Sequence, residues 1–221
     1  MKKAVLVLSG GLDSCVLLYS MLDQYSISEI TCLSFDYGAK HSYRELKSAA
    51  KIVDTCGADH HVIKLPFIRD LFNSALLSSS AAIPKGEYTK ESLAQTIVPF
   101  RNGIMLSIAA GFAESIMAEH VYYGAHYDDG ATYPDCTTTF MLGMRKAIYE
   151  GTSNNVMMHG TFGDLCKSDI VKIGDELGVP FGHTYSCYEG GPMHCGECST
   201  CCARKEAFLQ SRVFDPTEYL V

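Results

Sequence analysis

A chain of 221 residues, 47% of them hydrophobic, is long and apolar enough for one large domain, or one domain with an appendage, around a substantial core. Its net charge of −7, from 18 basic against 25 acidic residues, excludes the broad basic face of a general nucleic-acid binder while leaving room for a local basic pocket. No apolar run is read as long enough to cross a membrane, and the run after Met1-Lys2-Lys3 is too short for a signal peptide, so a cytoplasmic setting with ten mostly reduced cysteines is expected.

In chain order, Lys3 to Leu8 reads as a first strand and Leu12 to Tyr25 as a helix. Between them, Ser9-Gly10-Gly11-Leu12-Asp13-Ser14 makes a tight turn. Its glycines let a ligand approach the main chain, and it opens a helix whose first N–H groups lack partners and carry partial positive charge. Such a turn is a phosphate cradle, to which Ser9 and Ser14 add hydroxyl donors. A carboxylate repels phosphate, so Asp13 makes sense as the holder of a magnesium ion that bridges to it. The turn is neither a Walker A loop nor a dinucleotide fingerprint.

Glu29 to Phe35 is a second strand, His41 to Cys56 a helix ended by Gly57, and His60 to Leu65 a third strand. The interval from Pro66 to Ile97, with Ser78-Ser79-Ser80, Pro84 and Gly86, reads as a lid or binding loop. Arg101 to Met117 is a buried helix, His120 to Gly124 a strand, Pro134 to Tyr149 a helix, Val156 to His159 a short strand, and Lys167 to Leu177 a helix. This alternation predicts an α/β fold, a parallel sheet of about five strands with helices on both faces. Residues 1–182 would form the nucleotide-binding domain and 183–221 a metal-bearing subdomain.

In that last segment, Cys187, Cys195, Cys198 and Cys201 include two overlapping Cys-x-x-Cys steps, with Gly190, Gly191 and Gly196 supplying turns. Four thiolates suit a closed, structural tetrahedral zinc, with an iron–sulfur cluster as the rival. Cys202 competes for the fourth position, and Cys201 is preferred because it keeps the two-residue spacing.

Ser9-Gly10-Gly11-Leu12-Asp13-Ser14 resembles the PP-loop of the ATP pyrophosphatases, which cleave ATP between its α and β phosphates. Five further stretches follow in order: Phe35-Asp36-Tyr37-Gly38-x-x-His41, Val98-Pro99-x-Arg101-Asn102, Tyr133-Pro134-Asp135-Cys136, Lys167-Ser168-Asp169-Ile170, and Ser186-Cys187-Tyr188 with the cysteine knuckle through Arg204 and Phe208. Together the six resemble the 7-cyano-7-deazaguanine synthase (QueC) family over most of the chain. The resemblance implies a ligase that adenylates the carboxylate of 7-carboxy-7-deazaguanine, forms an amide with ammonia, and uses a second ATP to give the nitrile.

By that resemblance Leu8, Ser9, Gly10, Gly11, Leu12, Asp13 and Ser14 bind ATP, with Mg²⁺ on Asp13. Arg101 and Lys167 are the catalytic cations, placed against phosphate or substrate carboxylate. Asp36, Tyr37, Arg101, Asn102, Tyr133 and Asp135 are the substrate residues: Asn102 and Asp135 would read the base's polar edge, and Tyr37 or Tyr133 would stack on it. His41 is read as a helix start, and His126 with Asp128 and Asp129 as a polar loop near the pocket. A homodimer is implied, with no nucleic-acid partner.

The chain departs from the family pattern where Phe100 replaces a glycine and Thr137 an arginine, and in the loop between Tyr123 and Tyr133. These changes leave open a QueC-like ligase that joins the acyl group to a protein amine and stops at the amide. Another PP-loop enzyme, such as a tRNA thiolase, is the more distant alternative. A non-enzymatic zinc-knuckle module is opposed by the complete glycine turn with Asp13.

Overall fold

The computed structural model describes residues 3–77, 81–86, 94–126 and 133–221. Among these residues the strands are β1 (Ala4–Val7), β2 (Ile30–Asp36), β3 (Asp59–Lys64), β4 (His120–His126) and β5 (Met157–Phe162). They form one parallel sheet in the order β3-β2-β1-β4-β5. The helices are α1 (Leu12–Met21), α2 (Ser42–Cys56), α3 (Pro66–Leu71), α4 (Arg101–Ser115), α5 (Thr138–Gly151), α6 (Lys167–Glu176) and α7 (Ser199–Ser211).

β1 lies in the centre with Leu6 opposite Cys32 of β2 and Tyr122 of β4. All four of its residues are buried, because helices cover both faces. Successive side chains still point to opposite faces. Val5 and Val7 pack with Leu33, Phe35 and the α4 residues Leu106, Ala109 and Ala113. Ala4, Leu6 and Leu8 pack on the other side with Leu17 of α1, Ile52 of α2, Ile170 of α6 and Phe208 of α7. The order reverses between β1 and β4, and open sheets of this kind bind ligands at the carboxyl ends of the strands beside such a reversal.

Several boundaries differ from the expectation. α1 stops at Met21, after which Gln24 N and Tyr25 N both donate to Met21 O, and the Tyr25 hydroxyl lies 3.1 Å from that of Tyr122 in the core. The single helix expected over Pro134 to Tyr149 is divided. Thr137 is extended and caps α5 by accepting from Phe140 N at 3.2 Å, so Pro134–Cys136 stands apart as a short 3-10 turn. α3 and α7 were not expected. α7 buries Arg204 among Cys201, Ala207 and Phe208, which breaks the apolar stripe that would have marked it.

The stretch Ala94–Ser115 is, by length and composition, apolar enough to cross a membrane, which corrects the expectation that no run would be. Half of its most apolar window is buried within the protein, and Leu106, Ala109 and Ala113 of α4 share the core with β1 and β4. Residues 78–80 and 87–93 of the expected lid, and Asp128 and Asp129 of the expected polar loop, lie outside the described residues.

Candidate active site and metal centre

Leu8 to Gly11 turn the chain from the end of β1 into α1. Gly10 has φ +83°, and a Cβ there would stand 2.2 Å from the Glu45 carbonyl oxygen and 2.7 Å from Ala49 N. The turn packs on α2 only because this residue has no side chain. Gly11 is the N-cap of α1 and offers no side-chain cap, which leaves the first helical N–H groups to a ligand. Ser9 N donates to Ser14 Oγ at 3.2 Å, and Gly11 N donates to Ser9 Oγ at 3.1 Å, so the two hydroxyls set the shape of the turn.

A cleft of about 500 Å³ opens above this turn. It brings together Leu8, Ser9, Gly11, Leu12, Asp13 and Ser14 from the turn, Tyr37 beyond β2, Arg101 and Asn102 at the start of α4, Tyr133, and Lys167 at the start of α6. Lys167 Nζ donates to Asp13 Oδ2 at 3.1 Å, and His126 Nε2 stands 3.8 Å from the same oxygen. Burial would raise the Asp13 carboxyl, but Lys167 and then His126 outweigh it and hold the group below its ordinary 3.8. Asp13 Oδ1 is buried and accepts no hydrogen bond from the described residues. An ionised carboxylate with one unsatisfied oxygen at a phosphate-binding turn fits a hard cation.

The other end of the cleft is walled by tyrosines. Arg101 Nη1 donates to the Tyr37 hydroxyl at 3.2 Å, and its guanidinium lies 5.5 Å from that ring's centre. Burial opposes the Arg101 charge, but the Tyr37, Tyr123 and Tyr188 hydroxyls and Glu45 keep it firmly protonated. The same burial pushes Tyr37 up to about 12 and His41 down to about 4, the latter assisted by Arg101. The Tyr133 and Tyr188 hydroxyls, both lining the cleft, meet at 3.0 Å.

Three of the expected site residues do not line this cleft. Gly10 faces α2. Asp36 Oδ1 accepts from Gly38 N at 3.2 Å and shapes the turn that presents Tyr37. Asp135 Oδ2 accepts Asn102 N at 2.9 Å, and Asn102 Nδ2 donates to Asp135 O and Cys136 Sγ. Each of the two side chains expected to read a base is therefore engaged with the other residue's main chain, and the Asp135 carboxylate satisfies a donor at the α4 N-terminus.

Conversely, His126, Glu45 and His41 line the cleft. His126 is the buried last residue of β4, a site the strand's extension past Gly124 makes visible. Glu45 follows His41 by one helical turn and shares its face, the one signal that links it to the Tyr37 motif. Phe100 does not line the cleft: it sits at φ +51° as the N-cap of α4, a left-handed position that suits the glycine of the family pattern. Thr137 serves as the α5 cap and lines a second cavity that shares Ala125, His126 and Cys136 with the cleft.

The sulfurs of Cys187, Cys195, Cys198 and Cys201 all lie within 4.8 Å of one another, and those of Cys195 and Cys201 are 3.9 Å apart. A tetrahedron with Zn–S near 2.3 Å has an edge of about 3.8 Å. Cys195 N donates to Cys187 Sγ at 3.3 Å, and Cys198 N to Cys195 Sγ at 3.2 Å, the environment a thiolate prefers. Cys202 is outside the group and donates to Glu197 O. The four-cysteine cluster can hold a metal ion. It shares the core with β1 and α4 through Cys187, Cys198 and Cys201.

The model of a family described as "Queuosine biosynthesis protein QueC" matches residues 3–212. The chain is 44% identical to a 7-cyano-7-deazaguanine synthase of Porphyromonas gingivalis over 99% of its own length and 97% of that protein's. It is also 44% identical to one of Desulfotalea psychrophila over the full length of both. Among solved structures, it is similar to the U34-tRNA thiolase NcsA of Methanococcus maripaludis, with a [4Fe-4S] cluster, at TM-score 0.54 and 15% identity, covering 93% of this chain and 63% of that one. It is similar to NMN synthetase from Francisella tularensis at TM-score 0.53 and 13% identity, covering 96% and 78%. These two likenesses concern the fold.

Proposed function

Because the chain belongs to the QueC family of queuosine biosynthesis proteins, a family of synthases, we propose that it converts 7-carboxy-7-deazaguanine to 7-cyano-7-deazaguanine at the expense of two ATP. The observation that carries this is a single cleft that joins a phosphate-binding turn, with the Asp13–Lys167 pair, to a tyrosine-walled recess holding Arg101. A planar heteroaromatic acid fits the recess, and a triphosphate fits the turn.

In the first step the substrate carboxylate oxygen attacks the α phosphorus of ATP, and the bond to the β-phosphate oxygen breaks to release pyrophosphate. The α1 N–H groups, Ser9, Ser14 and Lys167, which line or open onto this end of the cleft, would face the negative charge that builds on the leaving group. Asp13 would hold Mg²⁺, which supplies further charge neutralisation there. Ammonia then adds to the acyl carbon and AMP leaves, giving the amide. In the second cycle the amide oxygen attacks a new ATP; loss of AMP and of the two amide protons leaves the nitrile. Tyr133 and Tyr188, which line the cleft with their hydroxyls joined, would help keep water from the acyl-adenylate.

We assign the four-cysteine site to structural zinc. Its four thiolates surround one point at tetrahedral spacing, whereas a cubane spreads its cysteines over four irons and much farther apart. Residues 183–221 form its subdomain, packed on residues 1–182. A cytoplasmic homodimer completes the proposal, tested by solution mass. Phe100 and Thr137 lie outside the cleft, so neither favours a protein amine as acceptor. The test is incubation with ATP, 7-carboxy-7-deazaguanine and isotopically labelled ammonia: the label is expected in a nitrile, and an unlabelled or absent product would overturn the proposal.

A further inference from the structure

Glu45 stands in the first turn of α2, lines the cleft, and faces the recess that holds Arg101. Among the described residues its neighbour at ion-pair range is His41 Nε2 at 3.8 Å. That imidazole, held down to about 4 by burial, is neutral near pH 7 and is already engaged with the Tyr37 hydroxyl at 3.2 Å. Arg101 acts on Glu45 through space, and its own Nη1 is committed to Tyr37. Burial consequently pushes the Glu45 carboxyl up to about 7. A largely buried carboxylate that accepts no hydrogen bond from the described residues is costly unless something that enters the cleft supplies donors.

We infer that Glu45 is a specificity-determining residue: its carboxylate accepts the two adjacent donors, ring N–H and exocyclic amine, of the 2-amino-4-oxopyrimidine edge of the substrate. This rests on the proposed function and names the group that recognises its substrate. Of the two residues expected to read the base, Asp135 does not line the cleft and its carboxylate holds the Asn102 main-chain N–H, while Asn102 Nδ2 is committed to Asp135 O and Cys136 Sγ. Two parallel donors match two carboxylate oxygens. Adenine sets its amine beside ring acceptors, so a carboxylate facing that edge would gain one bond and meet one repulsion. Phosphate is repelled outright. Tyr37 and Tyr188 provide flat walls for a ring held in that orientation, with the Tyr188 ring 5.3 Å from His41. Arg101, which lines the same cleft, is left to the substrate's anionic end, and the two opposite charges set the direction in which the ring enters.

The test compares 7-carboxy-7-deazaguanine with its analogue lacking the 2-amino group, by binding and by AMP release, in wild type and in Glu45→Gln. Wild type should discriminate against the analogue by on the order of 10- to 100-fold in kcat/KM, the range of one or two hydrogen bonds to a charged acceptor. In Glu45→Gln, with circular dichroism, metal content and ATP affinity as controls, the preference should collapse to a few-fold. Equal use of both compounds by wild type would overturn the inference without using the variant at all. So would a folded Glu45→Gln that keeps full discrimination, or whose defect is confined to ATP affinity. Failure of wild type to bind or process either compound would overturn the proposed function as well, and is distinguished from these outcomes by that result.

Discussion

Replacing Asp13 by Asn separates the catalytic from the structural contribution of the glycine turn. Asp13 Oδ2 lies 3.1 Å from Lys167 Nζ, and both side chains are about four-fifths buried. At an effective dielectric near 20, charges at that spacing attract by roughly 5 kcal/mol, most of which is offset by the cost of desolvating them. Asparagine keeps the size and one acceptor oxygen for Lys167, so the net loss of stability should be about 1–2 kcal/mol, or a Tm lowered by roughly 2–8 °C. That is a minor part of the 5–15 kcal/mol typical of a folded domain. Chemistry should suffer far more, because the carboxylate charge that attracts Mg²⁺ to the phosphates is gone: a loss on the order of several kcal/mol, or about 10³-fold in AMP formation. The same change removes a negative charge from the phosphate site, so ATP affinity without Mg²⁺ should hold or rise, and its Mg²⁺ dependence should flatten. The assay is AMP and pyrophosphate release with calorimetric ATP binding in the presence and absence of Mg²⁺. Full activity in folded Asp13→Asn, or an undiminished Mg²⁺ dependence, would refute the reasoning.

Cys198→Ser should lower metal content and Tm together, because metal binding is linked to folding, and elemental analysis of wild type should find one zinc per chain. Asp215→Ala should cost about 3–5 kcal/mol by chemical denaturation, because it strands Arg204, which is fully buried and donates to Asp215 through Nε and Nη2. Burial raises the Asp215 carboxyl, but Arg204 more than offsets this and holds it below 3.8. Its stabilisation is therefore complete above about pH 4 and lost as pH falls through the depressed folded value, and acid titration of wild type against Asp215→Asn measures it. Phe100→Gly puts glycine at a left-handed position, relieving roughly 1 kcal/mol of backbone strain, and should leave kcat/KM within about 3-fold because the ring does not line the cleft.

The sheet was legible because its signals are local and repeated. The run Ala4-Val5-Leu6-Val7, the glycine turn and the apolar periodicity of α2 each fix an element without reference to the rest. The metal cluster was equally legible, since three of its four ligands lie within seven residues of chain. Elements stabilised by long-range polar contacts were not. α7 is held by Arg204 reaching Asp215, Thr184 and Phe181 O, and nothing in its own sequence announces a buried guanidinium. The cleft divides in the same way. Asp13, Arg101 and Lys167 were identifiable from their motifs, and the fold brings them together. That Asn102 and Asp135 pair with each other, and that Glu45 points into the cleft, depends on how α2, α4 and the Pro134–Cys136 turn pack, which residue type alone does not encode.

The central claim is most directly tested by the stoichiometry of a single reaction. With 7-carboxy-7-deazaguanine, ATP, Mg²⁺ and ammonia, the wild-type protein should release two AMP and two pyrophosphate for each nitrile formed, and an amide that appears early should be consumed. Release of ADP and orthophosphate, or an amide that accumulates with one AMP and never becomes nitrile, would contradict the account.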